Sequence, residues 1–200
     1  MISQVLNTVN IVIGVVFMIC YFYQVVFLFM SFFTKPKKYP DTDKRCKYAF
    51  IISARNEENV ISQLCESIKA QNYPSELIET YVVADNCTDS TAEIARGCGA
   101  HVLERNDTSM LGKGYALEAL FEYIDATVGL DAYDAYIVVD ADNLLDPNYV
   151  LEMNKCFVSG ARLITSYRNT KNYGDNWISQ GYSVWFAREM RQLNAVRSHI

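Results

Sequence analysis

The sequence predicts an α/β protein, a mostly parallel sheet with helices on both faces, preceded by one N-terminal transmembrane helix. Three observations carry that expectation. Short apolar runs alternate with segments whose apolar residues recur at helical spacing, the pattern of strands buried on both faces between amphipathic helices. Each of the main apolar runs stops abruptly at a polar loop, and strands joined through helices pair in parallel because right-handed crossovers are nearly obligatory. Finally, residues 1–34 contain no Asp, Glu, Lys, Arg or His.

That opening segment is almost wholly apolar from Ile11 to Phe33. As a helix it is roughly 35 Å long, enough for a hydrocarbon core of about 30 Å. It lacks the basic start and small-residue cleavage site of a signal peptide, and a soluble helix apolar on all sides needs a far larger protein around it. Lys35, Lys37, Lys38, Lys44, Arg45 and Lys47 follow, with nothing charged before. The positive-inside rule therefore puts the remainder in the cytoplasm, at the cell membrane. The reading is three regions: 1–34 an anchor, 35–47 a basic linker with Pro36 and Pro40, and 48–200 the α/β domain.

Residues 48–52 read as the first strand, after which Asn56 can cap a helix carrying Val60, Ile61, Leu64 and Ile68. Residues 78–84 form the second strand, stopped by the loop 85–91 and followed by a short helix closed by Gly97 and Gly99. A third strand spans 100–103, and a helix over 113–126 places Leu117, Leu120, Phe121 and Ile124 on one face. The fourth strand is 136–139; Pro147 opens another helix, 161–166 reads as a fifth strand, and 177–196 as a long final helix. The six cysteines show no metal or disulfide spacing, fit a reducing compartment, and read mostly as small buried residues. A net charge of −5 argues against a nucleic-acid surface.

Chemistry concentrates where the fourth strand ends, at Val139-Asp140-Ala141-Asp142-Asn143. In an extended strand Asp140 and Asp142 point to one side. Two such carboxylates about 5 Å apart repel by roughly 1 kcal/mol in water and several-fold more at lower dielectric, so a positive charge is expected between them. Oxygen-only ligands favour Mg²⁺ or Mn²⁺, the former usually shared with substrate phosphates. In parallel sheets ligands sit beyond the carboxyl ends of the strands, where the loops 54–59, 85–91 and 140–143 converge.

Four ordered motifs then become specific: Ser-Ala-Arg-Asn-Glu-Glu at 53–58, Val-Ala-Asp-Asn-Cys-Thr-Asp-Ser-Thr at 83–91, Gly-Lys-Gly-Tyr-Ala-Leu at 112–117 and Val-Val-Asp-Ala-Asp-Asn at 138–143. In order and spacing they resemble the family 2 glycosyltransferases with a GT-A fold, over about residues 48–167. The resemblance implies a sugar transferred from a nucleotide-diphosphate sugar, a UDP-sugar above all, to a glycan or lipid acceptor, with Mg²⁺ or Mn²⁺. Carried over by position, Ala54, Arg55 and Glu57 would line the nucleotide pocket, Asp85 would bond the base, and Lys113 would offset the diphosphate. Asp140 would lie near ribose and metal, and Asp142 would hold the metal. Arg105 carries little weight in this reading.

The acceptor-activating base of that family, usually in an acidic Glu-Asp motif, is not found after Ile164; Glu189 stands alone between Arg188 and Met190. The chain is therefore expected to be incomplete before that motif, and a membrane-anchored nucleotide-sugar binding module without transferase activity is the alternative. Other classes fit worse. A HAD-type phosphatase carries its Asp-x-Asp on the first strand, a dinucleotide oxidoreductase needs a glycine-rich turn where residues 54–58 stand, and Gly112-Lys113 precedes glycine instead of the Ser or Thr of a P-loop.

Overall fold

The computed structural model describes residues 2–34 and 37–198. Lys35 and Pro36 of the basic linker lie outside the described residues. The chain divides into two compact units, Pro40–Ile164 and Met1–Tyr39 with Thr165–Ile200.

The larger unit is built on four parallel strands, β1 (Tyr48–Ala54), β2 (Ile78–Asp85), β3 (His101–Arg105) and β4 (Ala135–Asp140), in the order β3-β2-β1-β4. Between them run α2 (Ile61–Lys69), α3 (Thr91–Gly97) and α4 (Lys113–Thr127), and α5 (Tyr149–Val158) follows β4. Period-two alternation divides β1 between two cores. Tyr48, Phe50, Ile52 and Ala54 meet Ile61, Leu64, Ile68 and Val150 of α2 and α5, while Ala49 and Ile51 meet Ala116, Leu120 and Ile124 of α4. Each fully buried Ile, Leu or Phe of these faces contributes about 1.5–3 kcal/mol. The expected doubly covered parallel sheet is thus present.

The chain steps from β1 to β2 to β3 in one direction and then returns to the far side of β1 for β4. That reversal opens a crevice at the carboxyl ends of β1 and β4, where ligands of such sheets bind.

Several local expectations are corrected. Residues 161–166 form no strand, and Leu163 is 91% exposed; the run pairs with none of the four strands and remains irregular. Asn56 does not cap α2, which starts at Ile61 after Val60; its side chain is engaged across the neighbouring loop, as described below. The helix expected at Pro147 begins at Tyr149, because Asp146 accepts the Asn148 N–H in a turn and Gln71 bonds the Asp146 carbonyl and the Val150 N–H. Val138, expected inside, is 48% exposed on the edge strand β4; α4 reaches Tyr136 of that strand through Phe121, but Val138 is not part of the α4-side core. Of the cysteines only Cys46 and Cys65 are buried; burial pushes the Cys65 thiol up to about 12, keeping it a neutral space-filler.

Asn154 is a fully buried polar residue that fastens the segment before β1. Its Oδ1 accepts from the Cys46 N–H and the Tyr48 and Tyr73 hydroxyls at 3.2, 3.0 and 3.1 Å, and its amide donates to the Lys44 carbonyl at 2.8 Å. Among the described residues no buried side-chain N or O atom lacks a partner, and desolvation lifts the Tyr73 hydroxyl to about 12.

The smaller unit holds α1 (Ile2–Ser31), α6 (Trp177–Arg188), a π-helical turn Glu189–Asn194 and α7 (Ala195–Arg197). The sequence's single long final helix is these last three elements in succession. Asn176 caps α6 through a reciprocal box with Ser179. Residues 3–31 are long and apolar enough to cross a membrane.

Candidate active site

The loops after β1 and β2 form one clasp. Position 56 stands to β1 as position 86 stands to β2, by the register that pairs Ala54 with Ala84. Both are asparagines at positive φ, 56° and 52°, a left-handed conformation that Asn tolerates better than most residues. The Asn56 side chain accepts the Thr88 N–H at 2.8 Å, and the Glu57 N–H donates to the Thr91 hydroxyl at 2.8 Å. Asp89 accepts the Glu58 N–H at 3.2 Å, while Glu58 accepts the Ser90 N–H at 3.1 Å. The Thr91 hydroxyl also donates to Asp89 at 2.6 Å, and this bond chiefly holds the Asp89 carboxyl below its ordinary value.

Asp85 and Arg105 are register partners on β2 and β3 and face the α4 side. The Arg105 guanidinium donates to Asp85 Oδ1 at 2.6 Å; the two side chains are 11% and 6% exposed. Asn86 also donates to Asp85 Oδ1, at 3.0 Å, and Oδ2 carries no hydrogen bond among the described residues. Arg105 reaches further, to the Asp107 carboxylate at 3.2 Å and the Met110 carbonyl at 2.8 Å. It thereby ties β2 to the loop that delivers Lys113. Ser109 bonds hold the Asp107 carboxyl low. Gly112, at φ 132°, makes the last bend of that loop.

Lys113 opens α4 and ion-pairs with Asp140, each side chain 48% exposed. The positive charge expected beside the paired aspartates is thus supplied in part by the protein itself. Asp140 lies beside Ser53 of β1 in register. Asp142, exposed, is in the turn after β4, not in the strand, so the two carboxylates are not the in-line strand pair the alternation predicted. Chain reversal starts immediately, with the Asn143 N–H bonded to the Asp140 carbonyl at 3.1 Å. Arg55, just beyond β1, is exposed and makes no hydrogen bond or ion pair among the described residues; Ala54 is buried and Glu57 half-buried.

All seven sequence-selected residues, Ala54, Arg55, Glu57, Asp85, Lys113, Asp140 and Asp142, therefore lie at the carboxyl ends of the strands or at the start of α4. No group of three or more metal-ligating side chains occurs among the described residues. Two half-exposed or exposed carboxylates without His or Cys match an oxygen-preferring divalent ion that takes its remaining ligands from phosphate and water. Sequence reasoning undervalued Arg105. The available signal was its pairing position opposite Asp85, visible once 100–103 is extended by two residues. The Asn56–Asn86 correspondence was also legible, as an asparagine two residues after the alanine, Ala54 or Ala84, that closes each apolar run.

A parallel α/β sheet with a charged crevice at its switch point is of the class that binds ligands beyond the carboxyl ends of its strands. The pattern of "Glycosyltransferase like family 2" matches residues 45–200. The chain belongs to that family. It is 34% identical over 105 residues to Protein RfbJ of Shigella flexneri, covering 52% of this chain and 71% of that one. It is 37% identical over 106 residues to the 4,4'-diaponeurosporenoate glycosyltransferase of Staphylococcus haemolyticus, 51% of this chain and 26% of the relative. A beta-monoglucosyldiacylglycerol synthase of Nostoc sp. is 25% identical over 159 residues, 74% of this chain and 33% of the relative. The chain thus spans about a quarter to a third of the latter two. In fold it resembles the mannosyltransferase PcManGT of Pyrobaculum calidifontis in complex with GDP-Man and Mn²⁺, with TM-score 0.59, 18% identity, and coverage of 81% of this chain and 47% of that one. It also resembles S. aureus TarS in complex with UDP, with TM-score 0.51, 21% identity, and coverage of 65% and 38%. The fold is that of the GT-A glycosyltransferases.

Proposed function

We propose that this chain binds a UDP-sugar at the carboxyl edge of its sheet and serves transfer of the sugar to a glycan or lipid hydroxyl at a membrane. The observation that carries the reading is the convergence of Arg55, Asp85, Lys113, Asp140 and Asp142 on the switch-point crevice, from loops far apart in sequence. Arg55 and Lys113 bring positive charge to a diphosphate. Asp85, oriented by Arg105, has an acceptor oxygen for the imide N–H of uracil; Glu57 lines the same pocket, whereas Ala54 is wholly buried in the core that α2 and α5 cover. Asp140 and Asp142 would hold Mg²⁺ or Mn²⁺, which when bound neutralises charge on the departing nucleoside diphosphate. Loss of a proton from the acceptor hydroxyl calls for a carboxylate base, and no residue here is assigned to that step.

Base selectivity is the direct test. UDP is expected to bind more tightly than ADP, and Asp85→Ala to erase the difference; titration of parent and variant with both nucleotides reads it. ADP binding as tight as UDP in the parent would remove the base-reading role of Asp85.

The regional division into an anchor over 1–34, a linker over 35–47 and a nucleotide-sugar domain from 48 onward belongs to the same proposal. So does the orientation, with α1 crossing the cell membrane and Lys35, Lys37 and Lys38 on the cytoplasmic side. Protease added outside intact cells is expected to leave residues beyond Tyr48 uncut, and to cut them only after lysis. Cleavage without lysis would reverse the orientation.

A further inference from the structure

Helix α6 is inside out for a helix in water. At about 100° per residue, Val184, Trp177, Trp185, Ile178 and Tyr182 occupy roughly half of its circumference, and Ser179 and Ser183 the other. The five apolar and aromatic side chains are each more than half exposed, from 51% to 80%, whereas Ser179 and Ser183 are buried. The inner face is polar and satisfied: Ser183 bonds the Ser179 carbonyl at 3.1 Å and also the Thr170 hydroxyl. A soluble helix buries its apolar stripe, and a contiguous exposed patch of this kind marks a surface that something covers.

Two further observations say what covers it. Within this unit the end of α6 and the helix beyond it run against the last part of α1. Arg188 donates to Gln24 at 2.7 Å, and the Arg197 guanidinium lies 5.9 Å from the Phe27 ring centre. Gln24 is about 10 Å, at 1.5 Å per residue, from the end of α1 at Ser31. This places the end of α6 beside the terminal stretch of the helix long enough to span a membrane. Charge agrees. Residues 165–198 carry five basic side chains, Arg168, Lys171, Arg188, Arg191 and Arg197, against only Asp175 and Glu189, in a chain that is acidic as a whole.

We infer that α6 is a membrane-surface helix, lying in the plane of the bilayer with Trp177, Ile178, Tyr182, Val184 and Trp185 in the headgroup–acyl boundary and the basic side chains of residues 165–198 against anionic headgroups. Trp and Tyr are the side chains that favour that boundary, apolar at one end and wet at the other. In-plane helices seat their apolar face about 5–10 Å deep. This is a second membrane contact, beyond the proposed anchoring by α1.

The molecule carries its own probe. The sequence has two tryptophans, and both are on this face. Full-length protein is reconstituted into phosphatidylcholine–phosphatidylglycerol vesicles in which the acyl chains are brominated near the headgroup or near the methyl end. Tryptophan emission is expected to lose most of its intensity with the shallow bromine, to lose less with the deep one, and to resist aqueous iodide. Iodide quenching with no bromine effect would overturn the inference. So would protection from both quenchers, which would mean that protein, such as a second copy of this chain, covers the face. A Trp177→Phe and Trp185→Phe pair of single variants reads each position without altering the apolar surface. An alkaline carbonate wash of the same vesicles reads α1 separately: protein that washes off while its tryptophans are bromine-quenched supports α6 and refutes the anchor. Protein that stays while bromine has no effect does the reverse.

Discussion

Asp142→Asn is expected to abolish the divalent-ion dependence of UDP binding while leaving the fold intact. Asp142 is exposed in the turn that follows β4, so exchange of one carboxylate oxygen for an amide disturbs neither core face. What it removes is a unit of charge beside Asp140, whose own carboxylate is already shared with Lys113. Losing one charge-assisted contact costs about 2–3 kcal/mol, roughly two orders of magnitude in affinity. Affinity for UDP is measured for parent and variant with Mn²⁺ and with chelator. The parent should lose about a hundredfold on chelation, the scale of one such contact, and the variant should bind weakly under both conditions. Parent binding that ignores the chelator would end the metal role. Lys113→Met serves as the converse: it removes the ammonium that pairs with Asp140, so Mn²⁺ alone should bind better and UDP worse.

The doubly covered sheet was legible in the sequence because strands buried on both faces carry near-continuous apolar runs, as at Phe50-Ile51-Ile52 and Tyr81-Val82-Val83, which no loop tolerates. The site was legible because each of those runs ends in residues that cannot be core. Three things escaped, each for a physical reason. Residues 161–166 have a strand's composition but no paired neighbour, and composition does not reveal pairing. Asn56 reads as a helix cap in one dimension, yet the Thr88 N–H that it accepts is contributed by a loop 32 residues away. The inversion of α6 is invisible in its pattern of Trp, Tyr and Ser, because the sequence gives the stripe but not which side the protein occupies.

Arg105→Leu should be the most destabilising single change at the site. It would leave Asp85, whose side chain is 6% exposed, with its charge unpaired, and breaking a buried pair on one side costs about 3–5 kcal/mol. It would also release the Met110 carbonyl and Asp107, so the loop leading to Gly112 and Lys113 loses its tie to β2. Arg105→Lys keeps one charge but cannot reach Asp85, Asp107 and Met110 together, and should fall between. The double variant Asp85→Leu and Arg105→Leu replaces the pair with apolar bulk. It is expected to recover most of the lost stability, since a buried ion pair is often no more stable than its apolar replacement, yet to bind no UDP. Denaturant unfolding of the four proteins in one detergent, with UDP titration of each, separates the two roles. An Arg105→Leu protein as stable as the parent would show that the pair is not what holds β2 and β3 together at this edge. A double variant no more stable than the single one would show that the cost lies in the freed loop and not in the stranded carboxylate.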